Sequence, residues 1–248
     1  MATTASYRYY EEIMALMRSV FENQGDAIAR TAEILTSAIK ERRQLWIFGA
    51  THSSMMAAEV SYRAGGLALF NPLFAPGMWL DQRPATKTSK LENLPDMAKI
   101  VLNYSPAKAG DVLIVASTSG RNVVPIEMAL EAKKMGLTVI ALTSVRYSSA
   151  QPSNHPTGKR LFEIVDLVLD NQVPVGDAMV SFEGFPQHAG AASTVVGAFL
   201  LNAITAQVIE NLLLEGITPP VFMSTNLEGG KEHNDLVLER YRDLIHYM

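Results

Sequence analysis

The stretch that decides the fold is Asp111-Val112-Leu113-Ile114-Val115-Ala116-Ser117-Thr118-Ser119-Gly120-Arg121-Asn122. Its first half is a short unbroken apolar run rich in branched side chains, the pattern of a strand buried on both faces of a parallel sheet. Its second half is a cluster of small hydroxyl side chains closed by a glycine. Residues 123–135 then return to helical spacing, and Thr138-Val139-Ile140-Ala141-Leu142-Thr143 makes the next apolar run. Strand, turn, helix and strand in that order imply a right-handed crossover whose helix covers the sheet.

The same unit stands upstream. After the charged stop Lys40-Glu41-Arg42-Arg43 comes Leu45-Trp46-Ile47-Phe48-Gly49, with a helix expected over residues 53–63. Two weaker strands, within 67–74 and at Asp166-Leu167-Val168-Leu169-Asp170, complete the set. The expected fold class is α/β, a three-layer sandwich around a five-stranded parallel sheet of flavodoxin-like kind. Residues 6–40 place Ile13, Leu16, Met17, Val20, Ile28, Ile34, Leu35 and Ala38 at helical spacing, interrupted at Gly25-Asp26, and read as two helices or one kinked helix. A long helix is expected over 187–215 and a last short one over 234–246. The polar segments 81–90 and 144–159 are expected to be long loops, which in a compact domain are more often functional than idle. The chain reads as one domain, 1–248, with helices 6–40 and the tail 216–248 as appendages.

With 248 residues, 48% of them hydrophobic and 19% charged, the chain can bury a proper core, which excludes collagen-like, disordered and disulfide-stapled classes. The formal charge of −4, from 21 Lys+Arg against 25 Asp+Glu, gives no electrostatic reason to expect nucleic acid or a membrane surface as a partner. The absence of cysteine excludes disulfides, zinc ribbons and thiol nucleophiles and is compatible with a reducing cytosol. The opening residues Met1-Ala2-Thr3-Thr4-Ala5-Ser6-Tyr7-Arg8 lack the apolar core of a secretory signal. Residues 195–214 approach membrane-spanning length but contain Asn202, Thr205, Gln207, Glu210 and Asn211, so a buried helix and a cytoplasmic protein are expected.

In an open parallel sheet, ligands sit beyond the carboxyl ends of the strands, where helix N-termini offer free N–H groups to anions. Two strand ends here carry hydroxyl clusters: Gly49-Ala50-Thr51-His52-Ser53-Ser54 and Ser117-Thr118-Ser119-Gly120-Arg121-Asn122. Small hydroxyls and backbone amides can ring a phosphate monoester without bulk. One such loop alone reads as a helix cap. Two on adjacent crossovers of one sheet favour a shared anion site. Neither the glycine fingerprint of a dinucleotide site nor the Gly-Lys-Ser/Thr loop of a nucleotide triphosphate site is present, and the basic counter-charge that a triphosphate demands is missing.

These residues resemble the sugar isomerase (SIS) domain family, over nearly the whole chain. The run Val112 to Asn122 is similar to the family's strand followed by Ser-x-Ser-Gly-x-Thr/Asn, and the turn from Gly49 to Ser53 to its first phosphate loop. A bacterial subgroup labelled phosphosugar or phosphoheptose isomerase shares Ser119-Gly120-Arg121-Asn122 with Val124-Pro125-Ile126-Glu127, Gly158-Lys159-Arg160-Leu161, and Gly229-Gly230-x-Glu232-His233-Asn234. The resemblance implies that Ser53, Ser117, Ser119 and Asn122 hold a substrate phosphate and that Ser193 and Thr194 face the substrate. Thr51, His52 and Thr118, on the same loops, complete the candidate binding set. It also implies a homodimer or homotetramer with shared active sites, in which a C-terminal histidine, here His233, comes from a neighbouring subunit.

Aldose–ketose isomerisation moves a proton between adjacent carbons through an enediol and needs a base on carbon and an acid–base group for the oxygens. The histidines are His52, His155, His188, His233 and His246. His52 can touch phosphate or substrate oxygen from the first loop, or be an ordinary loop histidine. His188 is expected at the mouth of the long helix, whose positive end would favour a neutral base, or is simply a residue near a helix start. His233 lies in a glycine-hinged segment able to fold over a pocket. Glu59, six residues past Ser53, faces the phosphate loop or pairs with Arg63 at i+4. Glu183 is a further candidate through its apolar neighbours, and Asp170, Asn171 and Asp177 either line the pocket or cap it. The expected catalytic set is Glu59, His188 and His233. The pairs His52/Glu59 and Glu183/His188 lack zinc-ligand spacing, so neither metal nor other cofactor is expected. The expected activity is a cofactor-free isomerase for a sugar phosphate or amino-sugar phosphate. A phosphosugar etherase or deglycase is the alternative, since proton abstraction beside a carbonyl also starts an elimination. A non-catalytic phosphosugar sensor is another; no helix-turn-helix precedes Leu45.

Overall fold

In the computed structural model, which describes residues 4–247, the chain opens with α1 (Ala5–Asn23) and α2 (Gly25–Lys40). Met1 to Thr3, on which part of the reading of the N-terminus rests, and Met248 lie outside the described residues. There follow β1 (Leu45–Gly49), α3 (Ser54–Val60), β2 (Phe70–Leu73), α4 (Thr88–Leu91), α5 (Met97–Asn103), β3 (Val112–Ala116), α6 (Val123–Lys134), β4 (Thr138–Thr143), α7 (Val145–Ser149) and β5 (Leu167–Asp170). The chain then forms a hairpin of β6 (Ala178–Phe182) and β7 (Phe185–Ala191), the long α8 (Ser193–Leu214) and finally α9 (Gly230–Arg240).

The five central strands are all parallel, in the order β2-β1-β3-β4-β5. Alternate side chains of each strand leave the sheet on opposite faces. Leu45, Ile47, Ile114, Ile140 and Leu142 pack against Leu35 of α2, Met56 of α3 and Val196, Leu200 and Ile204 of α8. Trp46, Phe48, Leu113, Val115 and Val139 pack the other way, against Leu102 of α5 and Val124 and Met128 of α6. The result is the expected three-layer α/β sandwich. Because β1 connects outward to β2 on one side and neighbours β3 on the other, the strand order reverses between β1 and β3, and the crevice opens there.

Two helices, not one kinked helix, form the N-terminal segment: α1 ends where the Gln24 N–H bonds to Val20 O at 2.8 Å, and α2 restarts at Gly25. The long helix begins at Ser193 instead of residue 187, since Phe185–Ala191 is the second strand of the hairpin. The segment 81–90 runs into the helical turn of α4, the segment 144–159 begins with α7, and α5 is an unexpected helix. The last helix ends at Arg240. The chain after it is tied to β2 instead, where Asn71 donates Nδ2–H to Leu244 O at 2.8 Å and accepts the His246 N–H at 2.7 Å. Among the described residues, the helix long and apolar enough to cross a membrane is α8, and it is a core helix whose Val196, Leu200, Leu201, Ile204 and Val208 are fully buried.

Candidate functional site

β1 and β3 end side by side, Gly49 opposite Ala116, and the chain turns sharply after each. A Cβ on Gly49 would lie 2.1 Å from the Ser53 carbonyl oxygen, so the first turn folds back as tightly as it does only because residue 49 has no side chain. Thr51 takes φ +53° and donates its N–H to Met78 O at 2.9 Å, which pins this loop to the segment beyond β2. After β3, Gly120 adopts φ +55° and packs against Thr143 and Ser148. The N–H groups of Thr118, Ser119 and Gly120 find no acceptor among the described residues, an arrangement of free amides that suits an anion.

The third wall is the start of α8. Asp177, held at φ +60°, accepts the N–H groups of Ala192 at 3.0 Å and Ser193 at 2.8 Å, and the Ser193 hydroxyl at 2.5 Å. A carboxylate on the otherwise orphaned Ser193 N–H explains why the helix starts there.

These elements enclose a cleft whose polar wall is His52, Ser53, Ser117, Thr118, Asn171, Ser193 and Thr194, over an apolar floor of Met56, Ala116 and Leu142. It is narrow, about 10 Å³, the room of one water. The hydroxyls of Ser53, Ser117, Thr118 and Thr194 bond to no other group among the described residues, whereas that of Ser193 is committed to Asp177. Asn171, buried at the end of β5, accepts the Val173 N–H through Oδ1 at 3.2 Å and also lines the cleft, so it caps and lines at once.

Of the candidate binding residues, His52, Ser53, Ser117, Thr118, Ser193 and Thr194 therefore meet in one place. Thr51, Ser119 and Asn122 stand on the same loops without lining the cleft. Asn122 is engaged elsewhere: its Oδ1 accepts Asn154 Nδ2–H at 2.9 Å, and its amide lies near the Glu92 carboxyl. Asn154 ties three segments together, since it also donates Nδ2–H to Asn93 Oδ1 at 3.1 Å, accepts from Arg121 Nη2 at 2.7 Å and donates its N–H to Arg121 O at 2.8 Å. Burial pushes the Glu92 carboxyl above the usual glutamate range, against the opposing effect of the Asn122 amide. Sequence reading missed this network because Asn93, Asn122 and Asn154 carry no common spacing.

The acid–base candidates are scattered. Glu59 pairs with Arg63 at i+4 and accepts Asn202 Nδ2–H at 2.9 Å, away from the cleft wall. His233, on α9, holds its Nε2 2.9 Å from Val221 O, also outside the cleft of the single chain. His188 is not at a helix mouth, as expected from the sequence, but on exposed β7, and it lines a second cavity. Glu183 sits exposed at the tip of the hairpin. Among the described residues, His52 is the imidazole that lines the cleft, and no three His, Asp or Glu side chains converge as metal ligands do.

A family model described as SIS domain matches residues 8–144. The UPF0309 protein of Shouchella clausii is 46% identical over 241 residues, covering 97% of this chain and 98% of that protein. The UPF0309 protein of Streptomyces coelicolor is 42% identical, covering 97% of this chain and 96% of that protein. Among solved structures, a phosphoheptose isomerase from Francisella tularensis superposes with a TM-score of 0.54 at 16% identity, covering 82% of this chain and 95% of that chain. A phosphoheptose isomerase from Neisseria gonorrhoeae does so with a TM-score of 0.53 at 18% identity, covering 81% and 95%. The structural likeness establishes the fold.

Proposed function

The chain belongs to the SIS-domain family, with UPF0309 proteins as full-length relatives, and on that premise we propose that it binds a phosphorylated sugar or amino sugar and interconverts its aldose and ketose forms through an enediol, without a cofactor. One observation carries the reading: free hydroxyls from three separate elements, Ser53, Ser117 and Thr118, and Thr194, converge on one cleft beside the free amides of Thr118, Ser119 and Gly120. Capping alone gives each helix its own hydroxyl and no reason for them to meet. A phosphoryl group seats at the mouth of the cleft with one oxygen in the notch, and the hydroxyls and the free amides donate to it.

Anchoring by phosphate holds the carbonyl end of the sugar against the protein and makes the proton transfer effectively intramolecular. His52, which lines the cleft, contacts the phosphate in this reading, and His188 is its acid–base group. Ser119, Thr51 and Asn122 shape the loops, Asn122 through its side-chain bonds. Glu59 and His233 do not reach this cleft within one chain. A part for His233 belongs to a homodimer or homotetramer with shared sites, which this reading includes, as it does a cytoplasmic location.

Incubation with sugar phosphates in deuterated water, followed by NMR, tests the proposal. Ketose formation with deuterium entering at the carbon beside the carbonyl supports it. Release of lactate or an amine points to a lyase, and stabilisation without turnover to a sensor. No turnover and no stabilisation by any phosphorylated sugar contradicts it.

A further inference from the structure

The cleft holds little more than a phosphate oxygen, so the rest of a ligand must lie outside it. A cavity of about 500 Å³ adjoins it. The shared wall is the chain leaving β5: Asn171 lines the cleft, while its two chain neighbours, Asp170 and Gln172, line the cavity. Consecutive Cα atoms lie about 3.8 Å apart, so a single chain segment separates the two sites, and a pentose or hexose anchored at the cleft mouth has to pass over its edge to enter the cavity.

The far side of the cavity is built by α1, α7 and the hairpin, which contribute Glu12, Arg146 and His188. Among the described residues the side chains of these three have neither a hydrogen bond nor an ion pair, although charges of both signs share the space. Asp170 spends Oδ1 on the N–H groups of Val145 at 3.0 Å and Gln172 at 2.9 Å, leaving Oδ2 without a partner among the described residues. Gln172 accepts the Ser19 hydroxyl at 3.0 Å through Oε1, leaving its amide N–H groups to donate. Two carboxylates oppose a second anion here, and the guanidinium opposes a cation. A neutral polyol meets neither objection: each hydroxyl both donates and accepts, and planar carboxylate, amide and guanidinium groups bind such oxygens.

We propose that this cavity is the subsite for the uncharged polyhydroxyl end of the phosphosugar and that Arg146 and Glu12 determine specificity there. The proposal rests on the reading of the cleft as the phosphate site. It is tested by calorimetric titration of the wild type, Arg146→Met and Glu12→Gln with inorganic phosphate and with ribose 5-phosphate, glucose 6-phosphate, fructose 6-phosphate and glucosamine 6-phosphate. The wild type is expected to bind at least one sugar phosphate about ten-fold or more tightly than inorganic phosphate, and at least one variant to lose most of that advantage while its affinity for inorganic phosphate stays within about two-fold. Neither side chain has a partner among the described residues, so both variants should keep the wild-type melting temperature. A wild type with no preference for any sugar phosphate, a preference kept in both variants, or an equal loss of both affinities overturns the subsite. Failure of inorganic phosphate to bind the wild type instead defeats the reading of the cleft.

Discussion

The Asp177 carboxylate accepts the Ser193 hydroxyl at 2.5 Å and the Ser193 N–H at 2.8 Å, so a negative charge already occupies the end of α8 that forms one wall of the cleft. Fold and ligand make opposite demands on this residue. Asp177→Asn keeps a side chain that tolerates the left-handed backbone at φ +60° but removes the charge. The variant is expected to lose about 0.5–1 kcal/mol of stability, from the weakened cap, and to bind inorganic phosphate more tightly. Denaturation and phosphate titration of one preparation check the two signs together.

Gly49→Ala places a methyl 2.1 Å from the Ser53 carbonyl oxygen, a clash with backbone that no side-chain rotation relieves. A loss of about 3 kcal/mol is expected, at the upper end of overpacking effects, with phosphate binding lost even where the chain still folds. A circular-dichroism melt and a phosphate titration measure both.

Glu92 is buried, and its carboxyl is raised above the ordinary glutamate value, first by burial. Its contribution to stability is therefore fully present below the ordinary glutamate pKa and is lost as pH rises through the raised folded value. Glu92→Gln keeps a group that can bond to Asn122 and removes the charge. The variant should gain stability relative to wild type between pH 4.5 and pH 7.5, as read by denaturant unfolding at both pH values; an unchanged difference would contradict the assignment.

Asn154→Ala removes the partner of Asn122 Oδ1, Asn93 Oδ1 and Arg121 Nη2 in one step. It should cost about 0.5–1.5 kcal/mol and weaken phosphate binding although Asn154 does not line the cleft, because Asn122 then lacks the bond that orients it at the start of α6. Asn154→Gln, which keeps the amide, should recover part of the binding.

The three inner strands were legible because each is an apolar run ended by glycine or hydroxyl side chains, as at Leu45–Gly49 and Val112–Ala116, and burial on both faces allows no polar alternation. The hairpin was not. Every residue of Phe185–Ala191 is exposed, so no apolar period marks it, and the long helix was extended back through it. The hydroxyl loops of the cleft are local motifs and could be read locally. That they share one cleft depends on strand order, and the network around Asn154 depends on contacts 32 and 61 residues apart, which no spacing rule conveys. The position of His188 failed with the helix to which it had been assigned.

The most direct test of the phosphate cleft is the titration of inorganic phosphate into the wild type, Ser53→Ala and Ser117→Ala, with melting temperature followed in parallel. Phosphate at 100 times its Kd should stabilise the wild type by about 2.7 kcal/mol, and each serine variant should raise Kd about ten-fold through loss of a hydrogen bond to a charged ligand. No stabilisation at any phosphate concentration, or an affinity unchanged in both variants, would reduce the hydroxyl loops to helix caps and contradict the account.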